Sequence, residues 1–283
     1  MLALTLVLAV LVGITLGLFG GGGSILTVPL LVYVAGMETK EAIATSLLVV
    51  GVTSAVGAIS HARAGRVQWR TGLVFGAAGM TGAYAGGRLA EFIPGQWLLI
   101  GFALMMVATA LAMLRGRREI DPGDAPDHLP TTRFIVDGLV VGLVTGLVGA
   151  GGGFLVVPAL ALLGGLPMPV AVGTSLVVIA MKSTAGLAGY LASVTIDWQL
   201  AAMVTGAAVL GALLGGRLAG RIAPQTLRRL FGWFVLMMAI MVGAQEAPSA
   251  EWTWVVLALG AVLLVGTWVV LRRQHMAVDA AQT

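Results

Sequence analysis

The sequence contains no cysteine, which removes disulfides, thiolate nucleophiles and cysteine-ligated metals from consideration. Charge is nearly as scarce: Asp, Glu, Lys and Arg make up 10% of the 283 residues, and there are 3 histidines. Those histidines fall at a helix end, in a linker and in the tail, so no metal centre is expected. The chain also lacks GxSxG, HExxH and Walker A patterns. An enzyme is therefore not expected, nor any catalytic residue or cofactor. Met1 to Phe19 has no basic leader and no small-residue cleavage site, so no removable signal peptide is expected.

What is present is apolar. With 59% hydrophobic residues and a mean hydropathy of +1.01, the chain has more apolar surface than a soluble globule hides. Several runs approach the roughly 20 residues that cross a bilayer as helix, and none alternates as barrel strands do. The fold class expected is an all-α integral membrane protein, a polytopic helical bundle in a lipid bilayer. The sequence pI of about 10.1 does not point to nucleic acid, because the arginines sit in short loops between apolar runs. Those runs cover approximately 2–18, 24–36, 42–60, 71–88, 96–114, 134–148, 153–165, 170–190, 198–216, 226–243 and 252–271.

Two glycine clusters interrupt the pattern at matching places. FGGGGSILTVP, Phe19 to Pro29, returns 129 residues later as VGAGGGFLVVP, Val148 to Pro158. At the same offset, without a gap, come Gly13/Gly142, Gly17/Gly146, Thr45/Thr174, Ser46/Ser175, Ser54/Ser183, Gly57/Gly186 and Trp69/Trp198, and GGRLA at Gly86 to Ala90 recurs at Gly215 to Ala219. This is an internal duplication. It gives a first transmembrane repeat at 1–114, a linker at 115–133, a second repeat at 134–243, and an extra helix and tail at 244–283.

Loop charge sets the orientation of the copies. Arg63, Arg66 and Arg70 follow the third run, where the second copy has only Asp197. Conversely, Arg217, Arg221, Arg228 and Arg229 stand where the first copy has Arg88 and Glu91. By the positive-inside rule, 61–70, 115–133, 217–229 and the tail with Arg272 and Arg273 are cytoplasmic, and 89–95, 191–197 and 244–251 lie outside. Equivalent loops then face opposite sides, so the repeats are expected to be inverted. Each glycine segment must be a hairpin that returns to the side from which it entered.

The returning arms, 24–36 and 153–165, are about 18 Å long at 1.5 Å per residue, too short to cross alone. Their N-termini are expected within the membrane, where free N–H groups and the positive helix-dipole end attract an anion. Gly20, Gly21, Gly22, Gly23 and Ser24, with Gly149, Gly151, Gly152 and Gly153, are thus candidate substrate-binding residues; close helix packing is the plainer reading of the same glycines. Pro29 and Pro158 suit the first turn of each arm. Thr45, Ser46, Thr174 and Ser175 lie near the start of the next helices, with hydroxyls that either donate to an oxyanion or cap. Lys182 is the one Lys or Arg well inside an apolar run, seven residues after Ser175 on nearly the same helix face. A charge there is read as functional, against outward snorkelling or structural pairing, and Ser183 joins it. Its repeat mate is Thr53, so an anion site would be unequal in charge. The GxxxG pairs Gly13/Gly17, Gly82/Gly86, Gly142/Gly146 and Gly211/Gly215 are read as packing faces that also permit a homodimer. His61 and Tyr190, repeat mates at helix ends, read as interfacial anchors, and Trp69, Trp97, Trp198, Trp252 and Trp254 as an aromatic belt. Asp137 is expected to pair with Arg133.

The doubled motif G-x-x-x-G-x-(F/V)-G-x-G-G, each followed by proline and by (A/G)-T-S-L at Ala44 to Leu47 and Gly173 to Leu176, resembles the TauE/SafE sulfite exporter family. The resemblance covers residues 1–270. It implies a multi-pass cytoplasmic-membrane secondary carrier for sulfite, organosulfonates or related small sulfur oxyanions. Inverted repeats add the expectation of alternating access, and the basic tail that of a cytoplasmic C-terminus. Residue by residue it implies a pathway through Gly20 to Gly23, Thr45, Ser46, Gly149, Gly151 to Gly153, Thr174 and Ser175. An anion channel and a non-transporting membrane scaffold or assembly factor are the alternatives. The first copy has Ala44 where the second has Gly173, a departure from strict equivalence.

Overall fold

The computed structural model describes residues 2–19, 24–115, 131–148, 153–219 and 224–246. The glycine turns, with Gly20 to Gly23, Gly149, Gly151 and Gly152, lie outside the described residues, as do the central part of the linker and everything after 246, including the run at 252–271.

Every regular element among the described residues is helical. In order they are α1 (Leu2–Phe19), a short arm at Ser24–Val34 containing α2 (Thr27–Pro29), α3 (Thr39–Arg63), α4 (Trp69–Leu89), α5 (Gly95–Arg115), α6 (Thr131–Val148), α7 (Gly153–Pro158), α8 (Met168–Tyr190), α9 (Trp198–Ala219) and α10 (Pro224–Gln245). Each follows an apolar run of the sequence to within a few residues. Thr39–Arg63, Pro169–Tyr190 and Trp198–Leu218 are long and apolar enough to cross a bilayer, and Ser24–Val34 is among the shorter apolar helices. Trp69, Trp97 and Trp198 stand exposed in the first turns of α4, α5 and α9, where belt residues belong.

The two short arms share one construction, and it corrects the reading of their prolines. Pro29 and Pro158 do not sit in a first turn. Each closes its α-helical stretch, and a π-helical turn follows at once, Leu30–Val34 and Ala159–Leu163. Proline has no N–H for the carbonyl four residues back and its ring crowds that carbonyl; the chain widens at the next residue instead of breaking. Gly36 and Gly165, repeat mates at φ 72° and 62°, end the arms. Their left-handed backbone lets Met37 N–H reach Leu31 O at 3.0 Å and Leu166 N–H reach Leu160 O at 3.1 Å, a glycine-terminated helix end.

The helices divide into two units. One holds α1 to α4 and α6 to α9; the other holds nearly all of α5 and α10. In the second unit the buried residues Leu99, Phe102, Ala103, Met106 and Ala110 form one stripe along α5, and Val235, Leu236, Ala239 and Val242 another along α10.

Packing in the first unit follows the repeat but exchanges partners. α1 lies on α9 and α6 on α4, so each opening helix is held by the last helix but one of the other copy. The glycine faces do this. A Cβ at Gly13 or Gly17 would land on the carbonyls of Ala208 or Ala212, and one at Gly142 or Gly146 on those of Gly79 or Ala83, each contact repeating at the offset of 129. Gly211 and Gly215 meet Val10 and Ile14 as Gly82 and Gly86 meet Leu139 and Leu143. The GxxxG faces are therefore packing faces within the chain. Two apolar cores also match by repeat: Leu30, Leu31, Ala42 and Val49 in one, Ala159, Leu160, Ala171 and Val178 in the other.

Candidate functional site

α3 and α8 pack directly on each other at the middle of the first unit, and their contacts fix their sense. A Cβ at Gly186 would lie 3.4 Å from Leu47, one at Gly51 3.3 Å from Ser183 Cβ, and one at Gly57 3.4 Å from Leu176. Numbers rise along α3 as they fall along α8, so these repeat mates run antiparallel. Thr53 and Lys182, with Ser54 and Ser183, fall half-way along the crossing. Thr45 and Ser46 lie toward one end, and Thr174 and Ser175 toward the other, about 20 Å apart at 1.5 Å per residue. Lys182 and Ser183 are thus brought to the centre, while the two hydroxyl pairs stand one on either side of it.

Each hydroxyl pair faces its own short arm. Ala42 and Val49 pack with Leu30 and Leu31 of the first arm, and Thr45 and Ser46 occupy the positions between them on that helical stripe. Thr174 and Ser175 are placed alike between Ala171 and Val178, which pack with Ala159 and Leu160. All four are fully buried. None caps a helix, because the N-cap positions are Glu38 and Pro167.

Hydrogen bonding separates the halves. In the second, Thr174 Oγ1 accepts the Gln68 N–H at 2.9 Å and Ser175 donates to Val172 O at 2.8 Å. In the first, Thr45 and Ser46 have no hydrogen-bond partner, and neither does Thr27 on α2. Ser54 and Ser183 at the centre are unpartnered as well.

Lys182 is 2% exposed, so it neither snorkels nor reaches water. Its ammonium donates to Thr145 Oγ1 on α6 at 3.1 Å, and that hydroxyl donates to Gly142 O at 3.1 Å. The acceptor it finds among the described residues is neutral. α4 passes the stem with a glycine: a Cβ at Gly79 would touch Lys182 Cβ at 3.8 Å. The described ion pair, Arg88 with Glu91 at 3.7 Å, is exposed and elsewhere.

His61 and Tyr190 are not interfacial anchors. Both are buried, and Tyr190 OH donates to Leu147 O at 2.6 Å, holding the end of α6. A helix's last carbonyls have no intrahelical donor, and the phenol satisfies this one. Tyr190→Phe is expected to lower thermal stability by about 0.5–2 kcal/mol, read as a reduced melting temperature in detergent. His61 lies beside Gly173, where a Cβ would meet His61 Cβ at 3.2 Å and land on the Arg66 carbonyl. That contact explains why the second copy has glycine where the first has Ala44.

Thr27 and Thr145 escape a reading of sequence alone. Ser54 was visible as the repeat mate of Ser183, whereas Thr27 and Thr145 are single hydroxyls in apolar runs with Val156 and Leu16 as mates, and nothing in the pattern marks them.

The family model for Sulfite exporter TauE/SafE matches residues 5–242. A probable membrane transporter protein of Xylella fastidiosa is 36% identical over 239 residues, covering 82% of this chain and 91% of that protein. One from Methanocaldococcus jannaschii is 31% identical over 201 residues, 69% of this chain and 74% of that one. A third, from Bacillus subtilis, is 27% identical over 208 residues, 71% and 84%. No solved structure gives a significant match.

Proposed function

Because the chain belongs to the TauE/SafE sulfite exporter family, we propose that it is a secondary membrane transporter exporting sulfite, organosulfonates or related small sulfur oxyanions by alternating access. In this reading it lies in a bacterial-type cytoplasmic membrane with its C-terminus inside, and its halves are inverted repeats. The antiparallel crossing of α3 and α8 carries the proposal: repeat mates that run in opposite senses support an axis in the membrane plane, the architecture in which carriers rock around a central site. Buried hydroxyls and one buried ammonium along that crossing give it anion chemistry, since a polar side chain at this depth is costly unless it serves a ligand or a partner.

The pathway in this reading runs from Thr45 and Ser46 past Lys182, Ser183 and Ser54 to Thr174 and Ser175. The backbone N–H groups of Gly20 to Gly23, Gly149 and Gly151 to Gly153 are assigned to it from the sequence alone. Efflux of an anion is helped by an inside-negative potential, worth about 2.3 kcal/mol per charge per 100 mV, so no coupling ion is required. The test is radiolabelled sulfite flux in proteoliposomes holding the purified protein. Saturable flux that speeds up when the potential favours anion exit, with counterflow, is expected. Flux without saturation would make the protein a channel, and absence of flux for sulfite and small sulfonates alike would leave the scaffold reading.

A further inference from the structure

We infer that the two hydroxyl stations are unequal, and that Thr27, Thr45 and Ser46 of the first half hold the oxyanion, in singly charged form. This rests on the transport reading and assigns the resting site within it. Unfilled hydrogen-bond valence sets the first station apart. Thr45 and Thr174 are the same residue at the same repeat position, as are Ser46 and Ser175, yet only the second pair has its hydrogen bonds made. The third hydroxyl of the first station, Thr27, has Val156 as its mate. Three fully buried hydroxyls without partners, on the short arm and on the helix stripe that packs against it, go against the rule that buried polar groups are satisfied. Each costs stability unless something brought from outside accepts its proton.

The second half has chemistry that fastens rather than binds. Gln68 N–H on Thr174 and Tyr190 OH on Leu147 O tie α8 to the α3–α4 connection and to α6. Their repeat counterparts are not made among the described residues: Asp197 N–H goes to Glu41 Oε1 at 3.2 Å instead of to Thr45, and His61 Nδ1, at the position equivalent to Tyr190, has no hydrogen-bond partner. That rearrangement is what leaves Thr45 open. The single negative charge follows from the surroundings. The station's own donors are neutral; of the two charges beside each other at the start of α3, Lys40 reaches away to Glu91 O at 2.8 Å, while Glu41 stands one helical turn before Thr45, so a second negative charge on the ligand meets a carboxylate.

Thr45→Val and Ser46→Ala separate this inference from a structural role, because the two roles move the readouts oppositely. Removing an unsatisfied buried hydroxyl is expected to keep or raise the melting temperature of the ligand-free protein and to raise the half-saturation concentration for sulfite flux at least about tenfold. Thr174→Val takes the acceptor from Gln68 N–H; it is expected to lower the melting temperature and to raise the half-saturation concentration less. Equal effects in the two halves, or a larger one in the second, would overturn the inference. If the wild-type protein carries neither sulfite nor sulfonate, the transport reading fails. The site is then judged from thermal stabilisation by methanesulfonate, sulfite and sulfate. Stabilisation greatest for the monovalent sulfonate and lost in Thr45→Val sustains it; none by any of the three, or most by sulfate, refutes it.

Discussion

Gly211→Leu is expected to leave no folded protein to extract, while Gly206→Leu, five residues earlier on the same helix, behaves as wild type. The contrast comes from what each missing side chain would meet. At Gly206 nothing lies within 4 Å of an added Cβ; at Gly211 it would land on the Val10 carbonyl oxygen with Ile14 N at 2.9 Å. Backbone cannot turn aside as a side chain does, so α1 must lift away from α9. Gly215, one turn on, would lose its contact with Ile14 as well. Overpacking of this kind costs about 3 kcal/mol or more, against a total stability of about 5–15 kcal/mol. Size-exclusion profiles of tagged variants in mild detergent check it. A monodisperse, wild-type-like peak for Gly211→Leu would mean that α1 and α9 are not held by this face.

Lys182→Met is the second large expectation. The substitution keeps a long apolar stem beside Gly79 and removes only the charge. It does not orphan Thr145, whose hydroxyl still donates to Gly142 O. Replacing a buried charged group by an apolar one of similar volume is often neutral or stabilising, so the melting temperature is expected to hold or rise. Sulfite flux, by contrast, is expected to fall at least about tenfold, the loss of roughly 1.4 kcal/mol or more from one charge-assisted contact. A lowered melting temperature with undiminished flux would make the lysine a structural tie between α8 and α6.

The division between what the residues announced and what they concealed has a physical basis. Helices α1 to α10 were legible because bilayer-length hydrophobicity is a local property of the sequence, and the GxxxG faces because only small residues allow backbones so close. The partner exchange was not legible: the repeat offset says that Gly13 and Gly142 need equivalent neighbours, but not which helices supply them. The π turns after Pro29 and Pro158 were not legible: a one-residue widening leaves no mark in composition, and a proline in a short helix reads as a helix start. Tyr190 looked interfacial because it ends its helix, and only the arrival of α6 shows that its hydroxyl is used. Lys182 was visible as a lone charge but Thr145 was not, because acceptor and donor come from helices 37 positions apart. The inequality of the hydroxyl stations is the extreme case. Thr45-Ser46 and Thr174-Ser175 are identical as text and differ only in what the rest of the chain brings to them.

The exchange of opening helices also sets a timetable for the chain's own assembly. α1 emerges first, yet the surface it is shaped for, on α9, is made nearly two hundred residues later; at about 5–20 residues per second that is on the order of 10–40 s of waiting. During that interval Gly13 and Gly17 face lipid, which is tolerable because acyl chains are as apolar as the helix and no water punishes the delay. α6, whose partner α4 is already in place when it is made, has no such wait. The two halves therefore mature by different routes, and the nascent chain becomes locked only when its ninth helix enters.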